Sequence, residues 1–403
     1  MLGKVLICCI VLSTSISAFA QSDPFDSSKV QLEDIEVSFL SSYYQQDGNN
    51  SPVTGGSGTE YLTNLAPSLN VLIPLDSNRK VILDGGVDFY SSASSDNIDN
   101  PDQVADYVSG ASGRDERSYV SGVYKKKINK NLELGYLAGG SFEWDVFSYY
   151  GGVSLGLSSE DNNRGLDVKA NVYYDDWKLI YPAELRNGNV QYLDEDKRIS
   201  LNTSLVFSAN LTKRLAASIA TDLVVQDGLL STPFHRVYFE GAERAVVEQL
   251  PSSRVKYPVG LRLNYHVTDF LILKTFYRYY VDSWGLTANT FELTMPIKVS
   301  QSLRVYPFYR LLMQNEIDYF KPIGEHLSTS EFYTSDYDLS TFDSNKYGLG
   351  FTYTPLFGLG HFKYHKGRLA TFKSISLRYA HYDRSDGLTA DVVTIGLQFN
   401  LKR

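Results

Sequence analysis

From Asp34 to Leu401 apolar and polar side chains alternate residue by residue, in one segment of roughly ten residues after another. Successive side chains of a strand point to opposite faces. The pattern therefore dictates strands with one apolar and one polar face. The connections also alternate, being short and turn-like at one end, long and polar at the other. This describes an all-β chain folded as a transmembrane antiparallel up-and-down β-barrel.

The expected strands are Asp34–Tyr44, Leu65–Ile73, Val81–Tyr90, Arg117–Lys126, Leu132–Glu143, Val146–Leu157, Leu166–Asp175, Ile199–Ala209, Leu215–Val225, Val255–Tyr265, Leu271–Val281, Leu286–Ile297, Leu303–Met313, Tyr347–Pro355, Ser374–Tyr382 and Asp391–Leu401. That is about sixteen, an even number, as bacterial single-chain barrels have. With Val81, Leu83, Val87 and Phe89 outward, Asp84, Asp88 and Tyr90 face the lumen. A periplasmic N-terminus puts every long loop outside: Asp47–Thr59, Ser91–Glu116, Asp176–Lys197, Asp227–Ser253 and Asn315–Asn345. The tight connections at Pro74, Ile128, Asn210, Val267 and Lys298 then fall inside, with both termini. Leu356–Leu369, with a basic turn at His361–Arg368, is long for its side.

Residues 1–20 read as a secretory signal peptide: Lys4, a short apolar core from Val5 to Leu12, and Ala18-Phe19-Ala20 as cleavage site. The apolar core is shorter than the roughly twenty residues a spanning helix needs. Residues 21–33 are polar and form a periplasmic extension, leaving 34–403 as the barrel. The two cysteines, Cys8 and Cys9, lie in the leader, so the mature chain has neither disulfides nor thiolate sites. Without Lys4, 37 basic residues stand against 46 acidic ones, a net charge of −9. With no basic run to neutralise phosphates, nucleic acid is excluded as a partner. The 30 tyrosines and 21 phenylalanines suit strands and membrane interfaces. Tyr43-Tyr44, Phe89-Tyr90, Tyr149-Tyr150, Tyr173-Tyr174 and Tyr277 with Tyr279-Tyr280 sit at the outer ends of strands, where an aromatic girdle belongs.

The lumen carries the main functional expectation. Inward positions of the first half are acidic: Asp84, Asp88, Glu133, Glu143, Asp145, Asp167 and Asp222, with Lys169 an exception. Those of the second half are basic: Arg254, Lys256, Arg262, Lys274, Arg278, Arg304, Arg310 and Arg378, with Asp282 and Glu292 as exceptions. An acidic wall facing a basic one across an open lumen would orient and select small charged solutes. Across a filled lumen the same charges would close the barrel as an ionic network.

The last strand, Thr394 to Leu401, resembles the signal read by the barrel-assembly machinery, with Gly396, Phe399 and Leu401 at the key positions; the chain departs from it in ending on Lys402-Arg403. Further strings are distinctive: Ser51 to Gly56, Leu230 to Tyr238, Tyr277 to Gly285 and Phe332 to Leu339. They resemble, over nearly the whole mature chain, a family of exported bacterial proteins catalogued as domain of unknown function 3570. The resemblance implies an outer-membrane barrel of a Gram-negative bacterium. It brings no activity and no catalytic residues, and implies as companions a small lipoprotein, or another envelope protein, and a flavin transferase.

Pro233, His235 and Arg236 of one loop, Asp282 and Trp284 of another, and Asp336 and Asp338 of a third belong to segments too aromatic for free surface loops. They fit a constriction in the mouth or a surface for a partner. Asp336 and Asp338 offer carboxylates to calcium, without a complete oxygen cage. His361 and His365 have helical metal spacing but lie in a turn. His381 is expected on the outward face near the rim, with no nucleophile elbow to make it a hydrolase residue. No cofactor fingerprint is present. The expected function is a non-enzymatic, porin-like channel for small polar or charged solutes. The alternatives are a closed barrel serving as scaffold for a partner protein and, last, a hydrolase of the outer membrane, whose lipid surrounds the barrel.

Overall fold

The computed structural model describes residues 34–92, 115–186, 194–364 and 367–402; the leader and N-terminal extension lie outside them. The alternating segments are strands: β1 (Ile35–Asp47), β2 (Leu62–Pro74), β3 (Arg79–Ser92), β4 (Asp115–Lys127), β5 (Leu132–Phe142), β6 (Val146–Ser158), β7 (Arg164–Lys178), β8 (Glu195–Asn210) and β9 (Leu215–Gly228). Two-residue strands β10 (Arg236–Val237) and β11 (Val246–Val247) pair within a loop. The ring continues with β12 (Ser253–His266), β13 (Ile272–Asp282), β14 (Thr287–Thr294), β15 (Ile297–Lys298), β16 (Leu303–Gln314), β17 (Phe342–Tyr353), β18 (Gly360–Lys363), β19 (Leu369–Arg384) and β20 (Thr389–Leu401). Among the described residues a single α-helix, α1 (Ala183–Arg186), lies between β7 and β8. Among the described residues no helix is long and apolar enough to cross a membrane.

Round the ring each long strand pairs antiparallel with the next long strand, and β1 pairs with β20 from Ile35↔Leu401 to Asp47↔Thr389. That last ladder closes the sheet. Of its eighteen strands, β15 and β18 continue β14 and β17, leaving sixteen around the ring. Closure pairs every strand on both sides and leaves no edge in lipid. β14 breaks at Met295-Pro296 because proline brings no N–H to the ladder. β18 lies in the long connection between β17 and β19; it pairs with β19 and carries the sheet further at the turn end. His361 Nδ1 meets Thr371 Oγ1 at 3.0 Å there, while His365 lies outside the described residues.

The registers fix which face each side chain takes. Leu83, Phe89, Val120, Tyr136, Tyr149, Val172, Ile219 and Tyr277 are outward and exposed, as a lipid-facing surface must be. The aromatic pairs expected as a girdle divide, because adjacent residues cannot share a face. Tyr43, Phe89, Tyr149, Tyr277 and Tyr279 are exposed on the outside, whereas Tyr44, Tyr90, Tyr150, Tyr173 and Tyr280 turn into the barrel.

Candidate functional site

The inner surface has two parts, a charged wall and a cap of folded loops. Register places Asp84, Asp88, Glu133, Asp167, Lys169 and Asp222 inward, as the alternation requires. Glu143 and Asp145 lie just beyond the strand. β5 ends at Phe142, so both are buried in the tight connection to β6, where Tyr90 donates its hydroxyl proton to Glu143. The first half is also less acidic in sum than expected. Arg117 lies 3.5 Å from Asp88, and Lys80 and Lys125 lie 3.3 and 3.0 Å from Glu133. Arg198 lies 2.7 Å from Asp175. These bases are lumenal by the same alternation, so the pattern already contained them.

The second half keeps its excess of cations. Arg254, Lys256, Arg262, Lys274, Arg278, Arg304, Arg310 and Arg378 all face inward. Arg254 pairs with Asp282, and Arg310 with Glu292 at 2.6 Å. Among the described residues no carboxylate lies within ion-pair distance of Arg262, Lys274, Arg278, Arg304, Lys346 or Arg378. The Arg262 and Arg378 guanidinium groups lie over the rings of Phe276 and Phe308, at 5.2 and 3.9 Å, which holds them flat against the wall. Lys346, opposite Arg310 in register, escaped the sequence reading because its strand starts five residues earlier than expected.

The cap is built from the segments that looked too aromatic for free loops. Leu250, Ile317, Phe320 and Leu339, from the β9–β12 and β16–β17 connections, form a buried cluster with Trp284, Leu286 and Ala288; Tyr280 and Leu312, which face inward, pack against it. The loops therefore fold into the mouth. They also cross it. Arg236 donates to both carboxylate oxygens of Glu184, beyond β7, and to the Val53 carbonyl, beyond β1. Val53, Phe234 and Ile180 pack together at the same place. The β1–β2 connection lies opposite the β9–β12 connection that carries Arg236, so this contact spans the opening.

Local chemistry explains each anchor. Asp282 ends β13, and its Oδ1 accepts from the Trp284 and Leu286 amides at 2.9 and 3.2 Å. Its Oδ2 takes Arg254 Nε and the Tyr280 hydroxyl, both at 2.8 Å, while the Trp284 indole donates to Ser253 O at 2.9 Å. Asp338 is held by Arg384, which also binds Asp386 and the Tyr337 carbonyl and lies over Phe342. With Asp338 so engaged, the two aspartates do not join in a calcium cage. Asp336 instead faces His235 and Glu248, and Pro233 is buried beside them. Burial pushes the Asp336 carboxyl up, to about 7; Asp338 adds to this and His235 opposes it. Burial would lower the His235 imidazole, but Glu248 and Asp336 outweigh it and raise it. Arg384, Glu184 and Glu248 were missed in the sequence. Arg384 continues the inward series Arg378, Ala380, Tyr382; the two glutamates meet their partners only through tertiary folding.

His381 lies on the outward face near the rim, 2.9 Å from Asp391 and against the Tyr347 ring. Gly396 faces the lumen, whereas Phe399 is outward and stacks on Phe372 at 4.8 Å; Leu401 pairs with Ile35 at the closing ladder.

A family model described as a protein of unknown function (DUF3570) matches residues 95–365. No curated protein matches the chain. Similar solved structures include the siderophore receptor PirA from Acinetobacter baumannii, at 11% identity and TM-score 0.44, covering 89% of this chain and 54% of that one. The ferric enterobactin receptor PfeA from Pseudomonas aeruginosa is similar at 12% identity and TM-score 0.44, over 88% of this chain and 54% of that one. OccK1 (OpdK) from Pseudomonas aeruginosa is similar at 7% identity and TM-score 0.41, over 92% and 99% of the two chains. The chain thus spans about half the length of the two receptors.

Proposed function

The chain belongs to the DUF3570 family, and we propose that it is a passive channel of the Gram-negative outer membrane for small anionic or polar solutes. The observation that carries this reading is the set of lumenal cations without carboxylate partners. In a dry, sealed interior each unpaired charge would be strongly destabilising; in water it is solvated and attracts anions. Leu40 supports a solvent-filled lumen: it faces inward yet is 45% exposed. The cap acts as the constriction and the cationic wall as the preference. Delivery to the membrane would use the assembly machinery, reading Gly396, Phe399 and Leu401, with a small lipoprotein or other envelope protein as companion.

Single-channel conductance of the folded mature chain in a planar bilayer tests this. Steady, anion-preferring conductance is expected. Arg278→Glu with Arg378→Glu is expected to move selectivity toward cations, most clearly at low salt, because screening shortens to about 3 Å at 1 M. A silent barrel would replace the channel with a second reading, a closed barrel whose cap holds a partner, which the crossing of the mouth by loops favours.

A further inference from the structure

We propose that His235, Glu248 and Asp336 form a buried binding site for one divalent cation of the zinc class, clamping the β9–β12 loop to the β16–β17 loop. One ligand atom from each of the three residues lies within 4.8 Å of the others, and all three side chains are buried. His235 Nδ1 stands 3.3 Å from Glu248 Oε2 and 3.9 Å from Asp336 Oδ2. Nitrogen and oxygen ligands at zinc distances in a tetrahedron are about 3.4 Å apart, so the three atoms already span such an ion's coordination shell.

The ligands are also oriented as metal ligands are. Glu248 Oε1 accepts from the Thr232 amide at 2.7 Å and Oε2 from the Thr334 hydroxyl, which fixes the carboxylate plane. Asp336 Oδ1 accepts from the Asp338 amide at 2.9 Å. Its Oδ2, on a side chain 8% exposed, accepts no hydrogen bond among the described residues and faces His235. Such bonds fix the orientation of both carboxylates before an ion arrives. Charge points the same way. The nearby cations are committed elsewhere, Arg384 to Asp338 and Asp386 and Arg236 to Glu184. A divalent ion would therefore serve as counter-charge to both carboxylates, displacing the protons that the buried imidazole and Asp336 otherwise hold and taking an imidazole nitrogen. One nitrogen and two oxygen donors without a thiolate suit zinc better than calcium, which asks for six to eight oxygens.

The test is metal content and zinc titration of the folded full-length barrel in detergent, after chelation and dialysis, with heat-modifiable gel migration to verify folding. One zinc per chain is expected, not displaced by excess calcium. His235→Gln and Asp336→Asn, tested separately, should each weaken binding by more than the roughly 10–100-fold typical of losing an outer-shell partner. His381→Ala, at the outer rim, should leave it unchanged. Zinc should also slow external proteolysis of the β16–β17 loop in the parent chain and not in the variants. Absent stoichiometric zinc, or zinc equally bound by folded Asp336→Asn and His235→Gln proteins, overturns the site. Conductance does not enter the readout, so failure here is separate from failure of the channel reading.

Discussion

Glu60 is a carboxyl in the β1–β2 loop, 4% exposed, that accepts from the Asn50 amide at 3.0 Å. Burial raises its pKa, the Asn50 amide opposes this, and Asp338 adds to it, with Arg384 lowering and Asp386 raising to a smaller degree. A raised folded value means that the folded loop holds the proton more tightly than the unfolded one. The favourable contribution is complete below the unfolded value of about 4.3 and is lost as pH rises through the folded value. Glu60→Gln keeps an acceptor for Asn50 and removes the ionisation. Hydrogen-exchange protection of residues 50–60 should therefore be higher in the variant at neutral pH, and equal to the parent below about pH 4. Lower protection in the variant at neutral pH would contradict this. Arg384, 1% exposed, shows what made such residues hard to read. Its inward direction follows from alternation, but its partners Asp338 and Tyr337 come from a loop that no periodicity orders.

At the scale of elements, the strands were legible and the loops were not. A strand needs only its own alternation and the neighbouring turn to define faces and register, and all sixteen expected strands are present. The ends moved: β17 starts at Phe342, ahead of the apolar run, because Asp343 and Asn345 on its outward face are polar and interrupt the alternation. The Ser283-Trp284-Gly285 turn anchors the cap. Trp284 fills the cap's apolar cluster beneath the Arg254 guanidinium, 4.2 Å away, and Gly285 takes φ 88°, which favours glycine. Trp284→Ala should leave the barrel folded and cost the cap about 3–5 kcal/mol. The measurement is protease cleavage in the β9–β12 and β16–β17 loops, expected to rise sharply while heat-modifiable migration of the barrel stays.

For the whole molecule, the cap and the wall are separable. Arg236 ties opposite sides of the mouth through Glu184 and Val53. Removing a charge-assisted pair of this kind costs about 2 kcal/mol. Arg236→Ala should thus raise single-channel conductance, or the frequency of open events, without changing ion preference. A change in preference with unchanged conductance would place selectivity in the cap rather than on β12–β19.

Sequence by itself determined the barrel: the closed ring, the end at which the long loops gather, and the inward direction of every strand residue named for the wall, because a period of two is a local property. Only tertiary structure decided which charges remain unpaired and what the loops do. Lys125 and Arg117 neutralise acids on the adjoining strand and Lys80 one two strands away, an outcome set by register across the sheet. His235, Glu248 and Asp336 lie up to a hundred residues apart and meet only because two loops fold into one mouth. Ion pairing and ligand geometry depend on distance in space, which strand alternation carries for the ladder and does not carry for the loops.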